Sequence, residues 1–500
     1  MMMSTNLANL LLEADPLLPD ELVYFGDEVV GRSDLVAAAR DVAAHLVGAG
    51  VRPGMTVGGL LPNHPDAIAA IFGVWAAEAV YVPLNPRAPQ AELEVVASSV
   101  GLAAVIGEAA TLGNQAGAFG EALHMTLGDR RVGGVIPADV RSYPPDLALI
   151  LSTSGTTGTP KPVALRHSAW RDGIETVLGK LKPARSEAQP PRRGPAVNII
   201  PFSLSLGAGI WNTCFSFRAG RAVALMKEFR ADEFARLVNR FSVTAAVLAP
   251  AMIAMLLDDP SVTTLSPLRS VRTITAPLPA HHARALYERF GVFPLNGYGQ
   301  TELGEVIGWS ADDVRQFGTE KLGSVGRPHP GVSIRFSDDG ELLVRSPYMM
   351  DGYLEGTIND RLGEDGFLAT GDIGFVDQDG FVWLSGRQSD MINRGGLKVF
   401  PDEVEQVILR HPAVREVTVV GVPDDRLGEV PWAFVVPAGG EGGSALADDL
   451  RAWSARSLVA FKVPAQFVLL DALPRNDAGK VLRRNLATDG ALRAEVLRGR

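Results

Sequence analysis

The sequence predicts an α/β protein: a large N-terminal domain of layered α/β subdomains, a β-rich segment behind it, and a small α+β C-terminal domain. Three observations lead there. Short apolar runs alternate with longer helical ones over about residues 55–110, and the rhythm returns over 234–290, as in βαβ units wound into two layers. Beyond residue 335 the texture changes to hairpins, and beyond Asp390 to a mixed β and helical pattern. The 500 residues also exceed what one core fills, since single cores stop growing at about 250–300 residues.

Taken in order, residues 56–61, 80–84 and 102–106 read as strands, and 65–79 and 91–99 as helices. The apolar run 147–151 reads as a further strand. In the second layer, 234–241, 252–257 and 281–290 read as helical, and 244–249 and 271–276 as strands. Residues 375–383 alternate apolar and polar positions around an Asp-Gly turn, which marks a hairpin. The C-terminal module reads as a helix at 402–409, strands at 417–422 and 432–436, a helix at 448–458 and a strand at 466–470. Domains are expected at 1–389 and 390–500, with the hinge at Asp390; the second, at ~110 residues, has ordinary domain size. No fixed-period repeat appears.

Apolar residues make up 46% and charged residues 21%, so an ordinary globular core is expected. A net charge of −10 argues against a surface that coats nucleic acid, and a phosphorylated ligand must be met by local basic groups. Cys214 is the single cysteine, which rules out an intrachain disulfide and a thiolate metal cluster. The eight histidines lie apart from any metal-ligand spacing. Residues 7–12 are apolar but lack a basic leader and run into Glu13 and Asp15, unlike a signal peptide. Residues 68–84 are interrupted by Glu78, unlike a membrane span. A cytoplasmic protein without integral membrane contact is expected.

Chemistry first shows at Ser152-Thr153-Ser154-Gly155-Thr156-Thr157-Gly158-Thr159-Pro160-Lys161, directly after the apolar run 147–151. Glycines let a backbone approach an anion, N–H groups and hydroxyls donate to its oxygens, and a lysine adds charge. Such a loop suits phosphate. It is not a P-loop: counting from Gly155, Pro160 takes the place of the second glycine and Pro162 that of Ser/Thr. Residues 181–195, rich in Pro, Lys and Arg, read either as a solvated loop or as a basic rim for phosphates.

With four further blocks in order, the segment resembles the adenylate-forming superfamily of acyl-CoA synthetases, nonribosomal peptide adenylation domains and beetle luciferases. These are Asn296-Gly297-Tyr298-Gly299-Gln300-Thr301-Glu302, Thr370-Gly371-Asp372, Gly386-Arg387-Gln388-Ser389-Asp390 running on to Gly395-Gly396-Leu397-Lys398-Val399, and residues 474–480, ending in Lys480. The resemblance implies that residues 152–161 hold the departing phosphates of ATP, Thr301 contacts the α-phosphate, and Glu302 holds Mg²⁺. It implies that Tyr298 stacks on adenine with Asn296 at its amino edge, that Asp372 binds the ribose hydroxyls, and that Arg387 reaches the same nucleotide. Lys480 would enter from a mobile C-terminal domain to bridge the reacting carboxylate and the α-phosphate. Gly395 and Gly396 would flank the pantetheine arm after domain rotation.

The family's acid-binding segment corresponds to residues 201–207, placing Ser203, Leu204 and Gly299 at the substrate pocket. Many acyl-CoA synthetases carry a histidine where Leu204 stands, and amino-acid-activating members carry a carboxylate where Ser203 stands. An α-ammonium thus lacks its usual partner, which favours a plain carboxylic acid. Pro162 replaces the glycine usual after the loop lysine. The expected activity is an ATP-dependent carboxylic acid:CoA ligase using ATP, Mg²⁺ and CoA, most like an acyl-CoA synthetase of fatty acid metabolism. The alternatives are an adenylating enzyme that loads a carrier protein, a luciferase-like oxygenase, and an adenylate-binding protein without turnover.

Overall fold

The computed structural model describes residues 6–13, 17–120, 122–138, 140–154, 160–181, 196–276, 278–300, 303–347, 361–439, 444–475 and 481–489. It is a mixed α/β structure with two compact units, one of residues 1–275, 299–305 and 346–360, the other of residues 276–298, 306–345 and 361–500.

In the first unit seven strands form a sheet in the order Val132–Gly133, Leu123–Thr126, Ala104–Gly107, Thr56–Leu60, Val80–Leu84, Leu147–Ser154, Pro160–Arg166. The middle five are parallel and the two edges antiparallel. Parallel strands are covered on both faces and so read as continuous apolar runs; all five residues of Val80–Leu84 are buried. Leu60, Val82, Leu84, Leu93, Val96, Val105 and Ile150 share one core.

The helix Pro65–Ala76 starts with proline at its first position, where no N–H is needed, and the His64 ring accepts from Asp66 N at 3.2 Å. It stops short of the expected residue 79 because Glu78 takes φ +55°, outside the right-handed region. The helix Gln90–Val100 ends on Gly101 at φ +63°, whose N–H bonds Ala97 O at 3.0 Å.

A second sheet of this unit was not legible in the sequence. Its order is Val197–Ile200, Ala222–Leu225, Glu21–Phe25, Glu28–Gly31, with Val23 paired in parallel to Val223. The strands Ala245–Leu248 and Ser270–Thr273 pair in parallel as well, accompanied by the helices Ala231–Arg240 and Pro250–Asp258.

In the second unit the strands Ser333–Phe336, Glu341–Arg345, Leu368–Val376 and Val382–Arg387 form an antiparallel sheet. The expected hairpin is present, with Phe375 opposite Trp383 and Gly380 at φ +81°. The C-terminal sheet runs Leu397–Val399, Ile392–Arg394, Gly428–Pro437, Val414–Asp424, with Gln466–Leu469 parallel to Gly428–Pro437. Its two faces separate by strand alternation. Val417, Val419, Ala433 and Val435 pack with Val404, Ile408 and Leu450 of the helices Pro401–Ile408 and Ser444–Ser457. Val420, Val422, Trp432 and Phe434 pack with Leu473 and Leu486. No helix among the described residues is long and apolar enough to cross a membrane.

Candidate functional site

In the first unit the strand expected beneath the phosphate loop is present. Ala148, Leu149 and Ile150 are buried, and Trp75 Nε1 donates to Ala148 O at 2.7 Å. The strand runs on through Ser152, Thr153 and Ser154, which pair with Pro162, Lys161 and Pro160 of the return strand. Gly155, Thr156, Thr157, Gly158 and Thr159 lie outside the described residues. The return strand is a sheet edge. Pro160 and Pro162 are two residues apart, so their missing N–H groups fall on one side, which only an edge strand tolerates.

The proposed acid segment adjoins that strand. A Cβ on Gly207 would lie 2.7 Å from Leu151 Cδ1, and one on Gly209 would lie 2.2 Å from Ser203 O, so the helix Gly207–Arg218 approaches both closely. Asn63 holds the segment in place. Its Nδ2 donates to Phe202 O at 2.9 Å and Met226 O at 2.8 Å, and its Oδ1 accepts from Leu204 N at 2.7 Å. Leu204 is buried, whereas Ser203, Ser205 and Leu206 are half-buried. Ser203 Oγ and Ser205 Oγ share a hydrogen bond at 2.7 Å. Gly299 has no room for a side chain, since a Cβ would lie 2.1 Å from Gly304 O.

In the second unit alternation along Phe293–Gln300 buries Asn296 and Tyr298 and leaves Gly297 half-buried. Asn296 Nδ2 donates to Ser324 O at 3.3 Å. The Tyr298 hydroxyl donates to Asp372 Oδ2 at 2.5 Å. Asp372 in turn stands directly opposite Arg387 across the strand pair and accepts from its Nε at 3.1 Å. Asp372 is buried and the Arg387 side chain is 53% exposed, so a charged group reaches outward from a fixed carboxylate. Burial, then the negative charge of Asp372, pushes the Tyr298 phenol well above its usual pKa, so it stays a neutral donor. The turn before Asp372 is pinned by Thr370 Oγ1 to Leu342 O at 2.7 Å and by Gly371 N to Glu341 Oε1 at 2.7 Å.

Thr301, Glu302 and Lys480 lie outside the described residues. Asp390 is exposed at the end of the short turn Gln388–Asp390. Gly395 and Gly396, at φ +60° and +88°, form the turn of the hairpin Ile392–Arg394 and Leu397–Val399. That turn by itself requires glycine-like φ at both positions. Sequence reasoning missed Asn63, Glu341 and the Tyr298–Asp372 contact; the polar Asn63 between apolar runs was the one signal available.

The profile of the AMP-binding enzyme family matches residues 18–354, and that of the AMP-binding enzyme C-terminal domain matches residues 403–480. A feruloyl-CoA synthase of Amycolatopsis sp is 31% identical over 92% of this chain and 94% of its own length. The fatty acid–[acyl-carrier-protein] ligase ScoC of Streptomyces coeruleorubidus is 32% identical over 67% of this chain and 66% of its own. Among solved structures, the amide bond synthetase McbA of Marinactinospora thermotolerans superimposes with a TM-score of 0.82 at 29% identity, covering 97% of this chain and 99% of that one.

Proposed function

The chain belongs to the AMP-binding, adenylate-forming enzymes, and on that premise we propose that it joins a carboxylic acid to CoA in two steps. In the first, the acid's carboxylate attacks the α-phosphorus of ATP, the bond to the bridging oxygen breaks, and pyrophosphate leaves with the bonding electrons. In the second, the CoA thiol, having lost its proton, attacks the acyl carbon and AMP leaves. Little covalent work falls to side chains, so the protein's contribution is alignment and charge stabilisation.

The observation that carries the reading is Asp372, buried between the Tyr298 hydroxyl and Arg387. A carboxylate offers about four acceptor sites, enough to serve protein donors and a ribose diol together. In this reading Tyr298 lies against adenine with Asn296 at its amino edge, and residues 152–161 receive the departing phosphates. Glu302 is assigned the Mg²⁺ that accompanies them, a carboxylate being the hard oxygen ligand this cation takes. Thr301 contacts the α-phosphate. Lys480 stabilises charge between carboxylate and α-phosphate, carried there by a C-terminal domain that begins at Asp390. Gly395 and Gly396 then line the path of the thiol.

On the acid side, residues 201–207 contain no carboxylate, and the Ser203 hydroxyl is engaged by Ser205. That supports an aliphatic or aryl acid rather than an amino acid. A carrier-protein thiol is the second reading, favoured by the similarity to the carrier-protein ligase. The test is acid-dependent ATP–pyrophosphate exchange followed by thioester detection with CoA and, separately, with a phosphopantetheinylated carrier protein. Exchange together with a CoA thioester is the expected result; thioester on the carrier alone would replace the first reading by the second. Absence of exchange with every acid would remove both.

A further inference from the structure

Arg272 and Glu305 form an ion pair that no step of the proposed reaction uses. Nε of Arg272 donates to Glu305 Oε2 at 2.9 Å and Nη2 donates to Oε1, so the carboxylate occupies the side-on fork of the guanidinium. Both residues belong to the first unit. Alternation along Ser270–Thr273 buries Val271 and Thr273 and turns Arg272 to the other face, one residue from the carboxyl end of a parallel strand, where α/β layers take their ligands. The strand Ala245–Leu248, which pairs with Ser270–Thr273, lies alongside Val197–Ile200, and the latter runs straight into residues 201–207. Glu305 abuts Gly299: a Cβ on that glycine would lie 2.9 Å from Glu305 Cα. Gly299 and residues 201–207 are the parts of the chain assigned to the acid. The ion pair adjoins the first directly and the second through the intervening strand Ala245–Leu248.

Stability does not account for the pair. Taking two charges out of water costs about what their attraction returns, and well-packed apolar residues would hold the same place as well or better. Burial pushes the Arg272 pKa down to about 10, yet the two side chains keep 21% and 22% of their surface accessible. Deep placement with an open remainder is what a group on the wall of a cleft shows. A guanidinium carries five N–H donors, and Glu305 takes two of them. Among the described residues nothing accepts from the others, the two on Nη1 and the second on Nη2, which make up the end-on fork. Because Glu305 already balances the charge, a neutral oxygen suits that fork better than a carboxylate, which would leave one negative charge uncompensated out of water. We propose that Arg272, held in place by Glu305, is a specificity residue that receives a neutral oxygen of the acid, a hydroxyl, ether or carbonyl remote from the reacting carboxylate. This role rests on the proposed function and on the assignment of Gly299 to the acid.

The full-length chain tests it by pyrophosphate exchange with matched acids: hydrocinnamate beside its para-hydroxy, meta-hydroxy, para-methoxy and para-carboxy derivatives, and pentanoate beside levulinate. At least one acid with a neutral oxygen is expected to exceed its parent in kcat/KM by ~10- to 100-fold, the range of a hydrogen bond to a charged group. The para-carboxy acid is expected to fall below hydrocinnamate. In Arg272→Met/Glu305→Gln, which removes both charges together, the advantage of the oxygenated acid over its parent should disappear. Glu305→Gln alone leaves the Arg272 charge unbalanced and should raise the para-carboxy acid relative to hydrocinnamate by ~10-fold or more. A merely structural pair would lower exchange with parent and derivative alike, leaving both ratios unchanged, and that result would overturn the specificity role. So would a wild type in which no oxygenated acid exceeds its parent, or one that prefers the para-carboxy acid. Should the double variant fail to fold, the ratio measured in Glu305→Gln decides. Exchange with acids of both kinds but without discrimination overturns the role of Arg272 alone, whereas absence of exchange with every acid removes the proposed function and this role with it.

Discussion

Asp372 gathers two elements on one carboxylate, since Tyr298 and Arg387 reach it from different strands. If it also receives the ribose, Asp372→Asn removes a charged acceptor and leaves a donor in its place. Hydrogen bonds to charged groups contribute about 1.5–3 kcal/mol, so the KM for ATP in the exchange assay should rise ~10- to 100-fold. Tyr298→Phe should do less, and an unchanged KM in Asp372→Asn would remove the assignment. The motif made Asp372 and Arg387 legible as candidates. Their contact with Tyr298 was not legible, because strand register across 74 positions is not written in any local pattern. His167 offers a test of another kind. Its buried Nδ1 accepts from Leu7 N at 3.1 Å, and burial pushes its pKa down to about 4 against the opposing pull of Asp146. The folded value lies below the unfolded one, so the neutral ring stabilises the fold fully above pH 6.5, and that contribution is lost as pH falls toward 4. The stability gap between the wild type and His167→Gln should therefore shrink by about 3 kcal/mol between pH 7.5 and pH 4 in denaturant titrations. A gap independent of pH would contradict a neutral buried ring.

Elements with a local cause were the legible ones. The strand Val80–Leu84 falls where its apolar run lies, and the helix Ala280–Phe290 begins one residue before the expected 281–290 and ends at Gly291, φ +66°. Three of the boundaries that moved have a single-residue cause: Pro250 and Pro401 start their helices ahead of the first apolar position, and Glu78 ends another early. Others simply run longer than their apolar cores, as the strand expected at 417–422 extends over Val414–Asp424. The return strand Pro160–Arg166 was obscured because two prolines argue against a strand until its place at the sheet edge is known. The element that carries the proposed domain rotation is the turn Gln388–Asp390. Asp390→Pro holds φ near −65° and so restricts rotation about that residue. Pyrophosphate exchange should survive in this variant while thioester formation from supplied acyl-adenylate falls by at least ~10-fold, the imprint of a blocked conformational step. Thioester formation at the normal rate would place the hinge elsewhere.

At the scale of the whole molecule, the surroundings of the proposed acid segment are assembled from parts far apart in the chain, which is why sequence could propose the segment but not its support. Asn63, from the loop after one parallel strand, fixes residues 202–204, and the helix that follows presses Gly207 against Leu151 of the strand leading to the phosphate loop. Residues 201–207 themselves carry no carboxylate: Ser203 is the residue proposed to stand where amino-acid-activating enzymes carry one, and its hydroxyl is bonded to Ser205. An ammonium taken out of water without a counter-charge costs several kcal/mol, enough for discrimination on the order of 10²-fold or more. A hydrophobic acid and its 2-amino counterpart, compared at equal concentration in the exchange assay, should differ by at least that factor in favour of the plain acid. Ser203→Asp should narrow the gap by supplying the missing charge. A preference for the amino acid in the unaltered chain would withdraw both the pocket and the choice of an acyl-CoA ligase over an amino-acid-adenylating enzyme.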